Sequence, residues 1–227
     1  MKPKKKIKIY ILIPAYNEGP VIASVIQDVQ KEGWKNIIIV DDGSTDSTYD
    51  EAKKTGVIVL RHSLNRGKGA AVKTGFEAAK KLHAESIVTI DADGQHNPKD
   101  IMRLLEVLHK GNDVVLGVRN FDEKHIPRLK VLGNYIGNFF TWMLYGVWVT
   151  DSQSGIRAYN RKALNSITIY NDRYEFETEI VREISRNNLI WREIPITVRY
   201  TSYDQNKRNK QSLMSAIKTM LRLVMFD

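Results

Sequence analysis

The 227-residue chain contains no cysteine. That excludes a disulfide framework, a thiolate metal centre and a cysteine nucleophile, and it is consistent with a reducing compartment. No secretory leader is expected at its start. The basic start MKPKKK runs into an apolar stretch of only about six residues that meets Pro14, shorter than a leader's core, so a basic tail followed by a first strand is expected. No internal repeat or low-complexity segment is present. No GxGxxG follows a strand-like run, which argues against a dinucleotide site. NRGKG at 65–69 lacks the four residues between glycines, and the following Lys-Ser/Thr, that a Walker loop needs. DADGQH at 91–96 is not an EF-hand, because Gly94 holds the fourth position and the twelfth is not acidic.

What is present is ordinary for a globular protein: 42% apolar and 27% charged residues. The 35 Lys and Arg outnumber the 26 Asp and Glu, a net charge of +9. Such a balance favours anionic partners, whether nucleic acid, acidic lipid or phosphorylated substrates. The length suits one domain over 1–200, followed at 201–227 by a basic loop and an amphipathic helix.

In the first half, short β-branched runs at 7–13, 36–40, 57–60, 86–90 and 113–117 alternate with helix-like patterns at 20–32, 46–54, 68–82 and 98–109. This alternation predicts an α/β fold, a doubly wound, mostly parallel sheet with helices on both faces. Asn97-Pro98 and Gly111 read as the start and stop of one helix. Ser44-Thr45-Asp46 offers side-chain acceptors to the start of another. Later come a strand at 154–160, a helix at 175–187, a strand at 190–200 and a final helix from 211.

Residues 131–150 carry no charge and hold six aromatics. Leu132, Ile136, Phe139, Phe140, Met143 and Val147 make one apolar stripe at helical spacing, opposite Asn134, Asn138 and Thr141. A helix near 128–150 lying in the membrane interface fits best; a core or homodimer helix is the alternative, and a spanning helix fits least.

Three polar clusters fall at strand carboxyl ends, where doubly wound sheets bind ligands: PAYNE (14–18), DDGSTDST (41–48) and DADGQH (91–96). Asp91 and Asp93 leave a buried run at i and i+2, hard oxygen ligands suited to Mg²⁺ or Mn²⁺ on a diphosphate. Gln95 adds a neutral oxygen and His96 a nitrogen. A solvated turn is the plainer reading of the same residues. The glycines of NRGKG would allow close backbone approach to an anion at a helix start, or simply make a strand-to-helix turn. Glu175, Glu177 and Glu179 read as acids favoured by a helix N-terminus rather than as a base.

ILIPAYNE, IIIVDDGSTDST, NRGKGAAVKTGF, IVTIDADGQH and DSQSGIRAYNRKAL, in this order, resemble the family 2 inverting glycosyltransferases of the GT-A fold, and within them the dolichol- and polyprenyl-phosphate mannose or glucose synthases. The resemblance covers roughly residues 7–200. It implies that Pro14, Ala15, Tyr16 and Glu18 hold the nucleoside, with Glu18 near the ribose, and that Asp41 and Asp42 contact the base. Lys68, Asp91 and Ala92 complete the nucleotide-sugar site. Asp91, Asp93 and Arg119 are the catalytic group, and Asp93 with Gln95 binds the metal. On the acceptor side it implies Arg119, Arg128, Gln153, Ser154, Arg157, Arg199 and Lys207 as phosphate ligands.

The expected reaction is metal-dependent inverting transfer of a hexose, mannose favoured, from GDP-mannose or UDP-glucose to a polyprenyl or dolichyl phosphate. The enzyme would sit at the cytoplasmic face of the membrane as a peripheral protein. A saccharide hydroxyl acceptor would need a positioned base, and no residue announces itself as one. A lipid phosphate, already an anion with a second pKa near ~6, would not. A sugar-phosphate nucleotidyltransferase would need a glycine-rich loop that PAYNEGPV does not supply. A nucleic-acid-binding module would place aromatics on a charged sheet face, whereas here they concentrate in the uncharged stretch.

Overall fold

The β-branched runs pair into one sheet. The computed structural model describes residues 7–119, 143, 148–151, 154–173 and 175–199. Within them lie strands β1 (Ile9–Ala15), β2 (Ile37–Asp41), β3 (Ile58–Arg61), β4 (Ser86–Thr89), β5 (Val114–Arg119), β6 (Arg157–Asn160) and β7 (Trp191–Ile196). Their order is β3-β2-β1-β4-β6-β5-β7. Neighbours run parallel except around β6, which is antiparallel to β4 and β5. The expected mostly parallel sheet is present, with one reversed strand inserted.

Helices α1 (Gly19–Lys31), α2 (Thr48–Lys54), α3 (Lys68–Lys81), α4 (Asp100–Leu108), α5 (Arg161–Ser166) and α6 (Phe176–Arg186) cover it. Strands buried on both faces read as unbroken apolar runs, and β1 and β2 do so. Side chains still alternate between faces. Tyr10 and Leu12 pack with residues of α3, α5 and α6, while Ile11, Ile13 and Ala15 pack with residues of α1 and α4. In α1 the buried stripe Ile22, Val25, Ile26 and Val29 has the spacing of one helix face. Pro195 lies in edge strand β7, where a missing donor costs no ladder bond on the outer side.

Boundaries differ from expectation where local polar groups intervene. The strand expected over 154–160 begins at Arg157. Helix α5 was not foreseen; the Asn160 side chain caps it by accepting from the Ala163 N–H at 2.9 Å. At α2, Asp46 rather than Ser44 or Thr45 accepts the Thr48 N–H, at 2.9 Å. Asn97 accepts from the Lys99 and Asp100 amides, making a turn that delays α4 until Asp100. Gly111, at φ +97°, ends that helix as expected.

Among the described residues no helix is long and apolar enough to cross a membrane. Most of the 128–150 helix, the final helix from 211, and Arg128, Gln153 and Lys207 lie outside the described residues. Within 131–150, Met143 and Trp148 are exposed and Val149 is buried.

Candidate active site

Strand order reverses between β1 and β4: β2 and β3 lie to one side, β4 and the later strands to the other. Loops leaving the two central strands diverge there, opening a crevice at their carboxyl ends. PAYNE leaves β1 and DADGQH leaves β4, so the reversal brings both to this crevice.

The PAYNE and DDGSTDST loops are laced together by backbone donors. Asn17 takes a left-handed conformation, φ +53°, which Asn tolerates better than most residues. Its N–H donates to Ser44 Oγ at 2.9 Å, and its side-chain oxygen accepts the Thr45 N–H at 2.9 Å. The Glu18 N–H donates to Thr48 Oγ1 at 2.8 Å and the Gly19 N–H to Asp46 Oδ2 at 3.0 Å. Sequence reasoning passed over Asn17; its signal was an Asn at a tight turn directly after a buried strand. Pro14 and Ala15 end β1, Tyr16 is exposed and Glu18 is buried.

The acidic pair after β2 is buried and engaged. Asp41 accepts the Ser44 N–H at 3.1 Å, and Arg61 Nε lies 3.1 Å from its other oxygen. Asp42 gathers the segment leading into α3: His62 Nδ1 lies at 2.6 Å, the Arg66 N–H at 3.0 Å and the Gly67 N–H at 2.7 Å. The glycines of NRGKG serve close approach, but to protein. A Cβ on Gly67 or Gly69 would strike the carbonyls of Asp172 or Asn171, and the Ala70 N–H donates to Asp172 O at 3.0 Å. The plain strand-to-helix turn is thus the better description of this loop, which delivers Lys68.

Lys68 is the cationic centre of the crevice. Its Nζ lies 2.8 Å from Asp91 Oδ1 and 2.9 Å from Glu177 Oε1. His96 Nε2 is 3.3 Å from the other Asp91 oxygen. Burial would raise the Asp91 pKa, but Lys68 and then His96 outweigh it and hold the carboxyl well below its usual range. Burial would likewise lower Lys68, yet the two carboxylates raise it above the ordinary lysine value. Pro14, Lys68, Asp91, Ser154, Arg157 and Glu177 line one small pocket. Glu177 stands in the first turn of α6, as the helix-start reading expects, and its carboxylate also lines this pocket. The Lys68 spacing to α6 is a tertiary feature that no local pattern announces.

Asp93 differs from Asp91. Its Oδ1 accepts the Gln95 N–H at 3.0 Å, and burial together with the Asp91 charge raises its pKa. Among the described residues no cluster of three or more His, Asp or Glu groups forms a closed metal cage. Arg157 is buried, with Nε donating to Ser154 O at 2.9 Å and Nη1 to Glu177 O at 3.2 Å. Arg119 grips the buried Asp151 carboxylate through Nε at 2.7 Å and Nη2 at 2.8 Å, a two-point fork that Lys could not reproduce. Arg199 sits apart, on Asn97 and Asp28.

Residues 10–168 match the glycosyl transferase family 2 profile. The chain belongs to that family. As a family 2 glycosyltransferase of the GT-A fold, it is 37% identical over 240 residues to the UDP-N-acetylglucosamine–dolichyl-phosphate N-acetylglucosaminyltransferase of Methanococcus voltae, covering 96% of this chain and 95% of that one. It is 28% identical to the polyprenol monophosphomannose synthase of Mycolicibacterium smegmatis, over 91% of this chain and 83% of the relative. The fold also matches a crystal structure of glucosyl-3-phosphoglycerate synthase from Mycobacterium tuberculosis in complex with Mn²⁺, UDP and phosphoglyceric acid. The TM-score is 0.67 at 20% identity, covering 93% of this chain and 78% of that one.

Gly155 gives this glycosyltransferase a direct test. A Cβ built there would overlap both Asp91 carboxylate oxygens. Gly155→Ala is expected to displace Asp91 and cost about 1–3 kcal/mol of stability, as overpacking does. Turnover should fall at least ~10-fold, because a misplaced group at a reacting site is felt steeply. Chemical denaturation beside steady-state rates checks this; an unimpaired rate would mean that the Asp91 position is not critical.

Proposed function

We propose that this glycosyltransferase moves a hexose, with inversion and divalent-metal dependence, from a nucleotide sugar to a polyprenyl or dolichyl phosphate at the membrane surface. The observation that carries the acceptor class is that Lys68 ties up both pocket carboxylates that could have served as a base, Asp91 and Glu177. A hydroxyl acceptor needs a group free to take its proton; a phosphate monoester oxygen is already a nucleophile. The two named relatives, which by their names act on dolichyl phosphate and make a polyprenol monophosphomannose, support the same class.

Asp93 and Gln95 fit a divalent ion. Both donors are hard oxygens, and Asp93 is a half-buried carboxyl beside a second acid, an arrangement a cation would relieve. When bound, such an ion would act as a Lewis acid on the departing diphosphate. The chain's own groups do the rest. Pro14, Ala15, Tyr16, Glu18, Asp41, Asp42 and Ala92 form the floor for the nucleoside, and Lys68 adds fixed positive charge. Arg119, Arg157 and Ser154, with Arg128, Gln153 and Lys207, set the acceptor phosphate against the far face of the sugar. One bond forms, from phosphate oxygen to anomeric carbon; one breaks, from that carbon to the diphosphate; no proton need move.

Mannose from GDP-mannose is our favoured donor, UDP-glucose is equally compatible with the acidic pair after β2, and the relative with 37% identity adds UDP-N-acetylglucosamine as a competitor. The test is a donor panel of GDP-mannose, UDP-glucose and UDP-N-acetylglucosamine with Mn²⁺ and a short polyprenyl phosphate. A lipid product cleaved by mild acid is expected, as for a glycosyl phosphate. An acid-resistant product, formed only on a saccharide, would replace this reading with the hydroxyl-acceptor one.

A further inference from the structure

The chain leaving β7 does not run off the sheet but returns to DADGQH. The Thr197 N–H donates to Asp100 Oδ2 at 2.8 Å. Val198 forms an antiparallel bridge with His96. The Arg199 N–H donates to Gln95 O at 2.7 Å. The Arg199 side chain continues the seam, with Nη2 donating to Asn97 Oδ1 at 2.8 Å and Nη1 lying 3.7 Å from Asp28 Oδ2 on α1. Three successive residues thus grip the loop at four points, from Gln95 through Asp100.

The gripped loop is unusual in needing a grip. Between β4 and α4 it turns through Gly94 at φ +77°; Asp93, Gly94 and Gln95 are only half-buried, while His96 is buried against Asp91. A loop of that kind has little apolar burial to fix it. Oxygen donors for a small divalent ion must nevertheless be held close to their final geometry, and partners outside the ligand set do that holding.

We propose that residues 197–199 are a strap that seats this loop, and that Arg199 is the positioning residue of the Asp93–Gln95 pair rather than a ligand of the acceptor phosphate. The metal half rests on the proposed function; the strap itself does not. The guanidinium is suited to the task because its planar fork reaches two partners on different elements at once, Asn97 on the loop and Asp28 on α1. Asn97 is the other half of the seam and has no part in the nucleotide or acceptor site as proposed.

The test uses the full chain and the variants Arg199→Ala, Asn97→Ala and the double mutant. Mn²⁺ binding in the presence of UDP, read by calorimetry, is expected to weaken about 10-fold in each single variant, the low end for residues that orient metal ligands. The double mutant should fall short of the sum of the singles, because both remove the Arg199–Asn97 bond, each losing besides it only one contact of its own, Asp28 for Arg199 and the Lys99 N–H for Asn97. Hydrogen exchange of the 93–99 segment, measured without metal, should rise in all three. The KM for a short polyprenyl phosphate should stay within about twofold of wild type. Unchanged exchange in Arg199→Ala overturns the strap whatever the metal does. A raised polyprenyl-phosphate KM with wild-type Mn²⁺ affinity overturns the positioning role and returns Arg199 to the acceptor. If wild type itself binds no Mn²⁺ with UDP, the metal reading and the positioning role fall together, and exchange still decides the strap.

Discussion

Asp93→Asn should lower turnover by about 10³-fold, corresponding to about 4 kcal/mol in the barrier. Asp93 and Gln95 are the oxygen donors proposed for the metal, and Asn keeps the shape of Asp93 while removing its charge. The variant isolates chemistry from folding. Asp93 is half-buried next to Asp91, and desolvation with that neighbouring charge raises its pKa, so the charge it carries without metal is unfavourable to the fold. Its Oδ1 accepts from the Gln95 N–H, a bond that an amide oxygen can also make. Thermal unfolding of the metal-free variant should therefore match or exceed wild type. Mn²⁺ binding with UDP should be lost along with turnover. Full activity in the variant, or in wild type held in excess chelator, would remove the metal from the mechanism.

The sequence carried the fold because parallel strands buried on both faces cannot hide: IYILIPA is apolar throughout and IIIVD up to its terminal Asp41, and β1 is followed by a helix with a one-sided stripe. The reversed strand β6 was harder, since RAYN is four residues long and polar at both ends. Its pairing to β4 and β5 is decided by where the chain returns, not by its own pattern. Helix α5 escaped for a related reason: six residues are too few for a periodic signal, and the cap at Asn160 is its only local mark.

The site was legible in its residues more than in its wiring. Asp91, Asp93, Lys68 and Arg119 stood out from motif and chemistry. What could not be read was which charges meet. Lys68 and Glu177 are 109 positions apart and Arg119 and Asp151 are 32 apart, and such pairings follow from strand order alone. The acidic run at 175–179 also shows how one pattern serves two ends. Glu179 accepts the Tyr170 and Asn171 amides, at 3.1 and 2.9 Å, a structural use, while Glu177 turns into the pocket. Periodicity places both on a helix start and distinguishes neither.

Lys68→Met should be the most damaging change to the fold within the site, and its cost should depend on pH. In wild type the ammonium raised by Asp91 and Glu177 contributes stability that is full below the unfolded lysine pKa of about 10.4 and is lost as pH rises beyond it. Asp91, depressed by Lys68 and His96 against the effect of burial, contributes stability that is full above the unfolded value of about 3.9 and is lost as pH falls through its folded value. Between those limits this cluster's contribution is flat. Replacing Lys68 by Met keeps the apolar stem and removes the cation shared by two largely buried carboxylates, whose side chains are 25% and 9% exposed. Stranding a buried charge in this way costs about 3–5 kcal/mol. The penalty falls on the ionised form, so the folded-state pKa of Asp91 rises in the variant. Its stability then declines as pH climbs through that raised range. Denaturant unfolding of both proteins at about pH 5 and about pH 8 reads the difference, which should already be present at the lower value, where wild type keeps its full ion-pair contribution, and larger at the higher. A gap of the same size at both would mean that removing Lys68 does not raise the Asp91 pKa, leaving only the pH-independent loss of the ion pair. No gap at all would mean that Asp91 and Glu177 do not depend on Lys68, and the argument that neither is free to act as a base would fail with it.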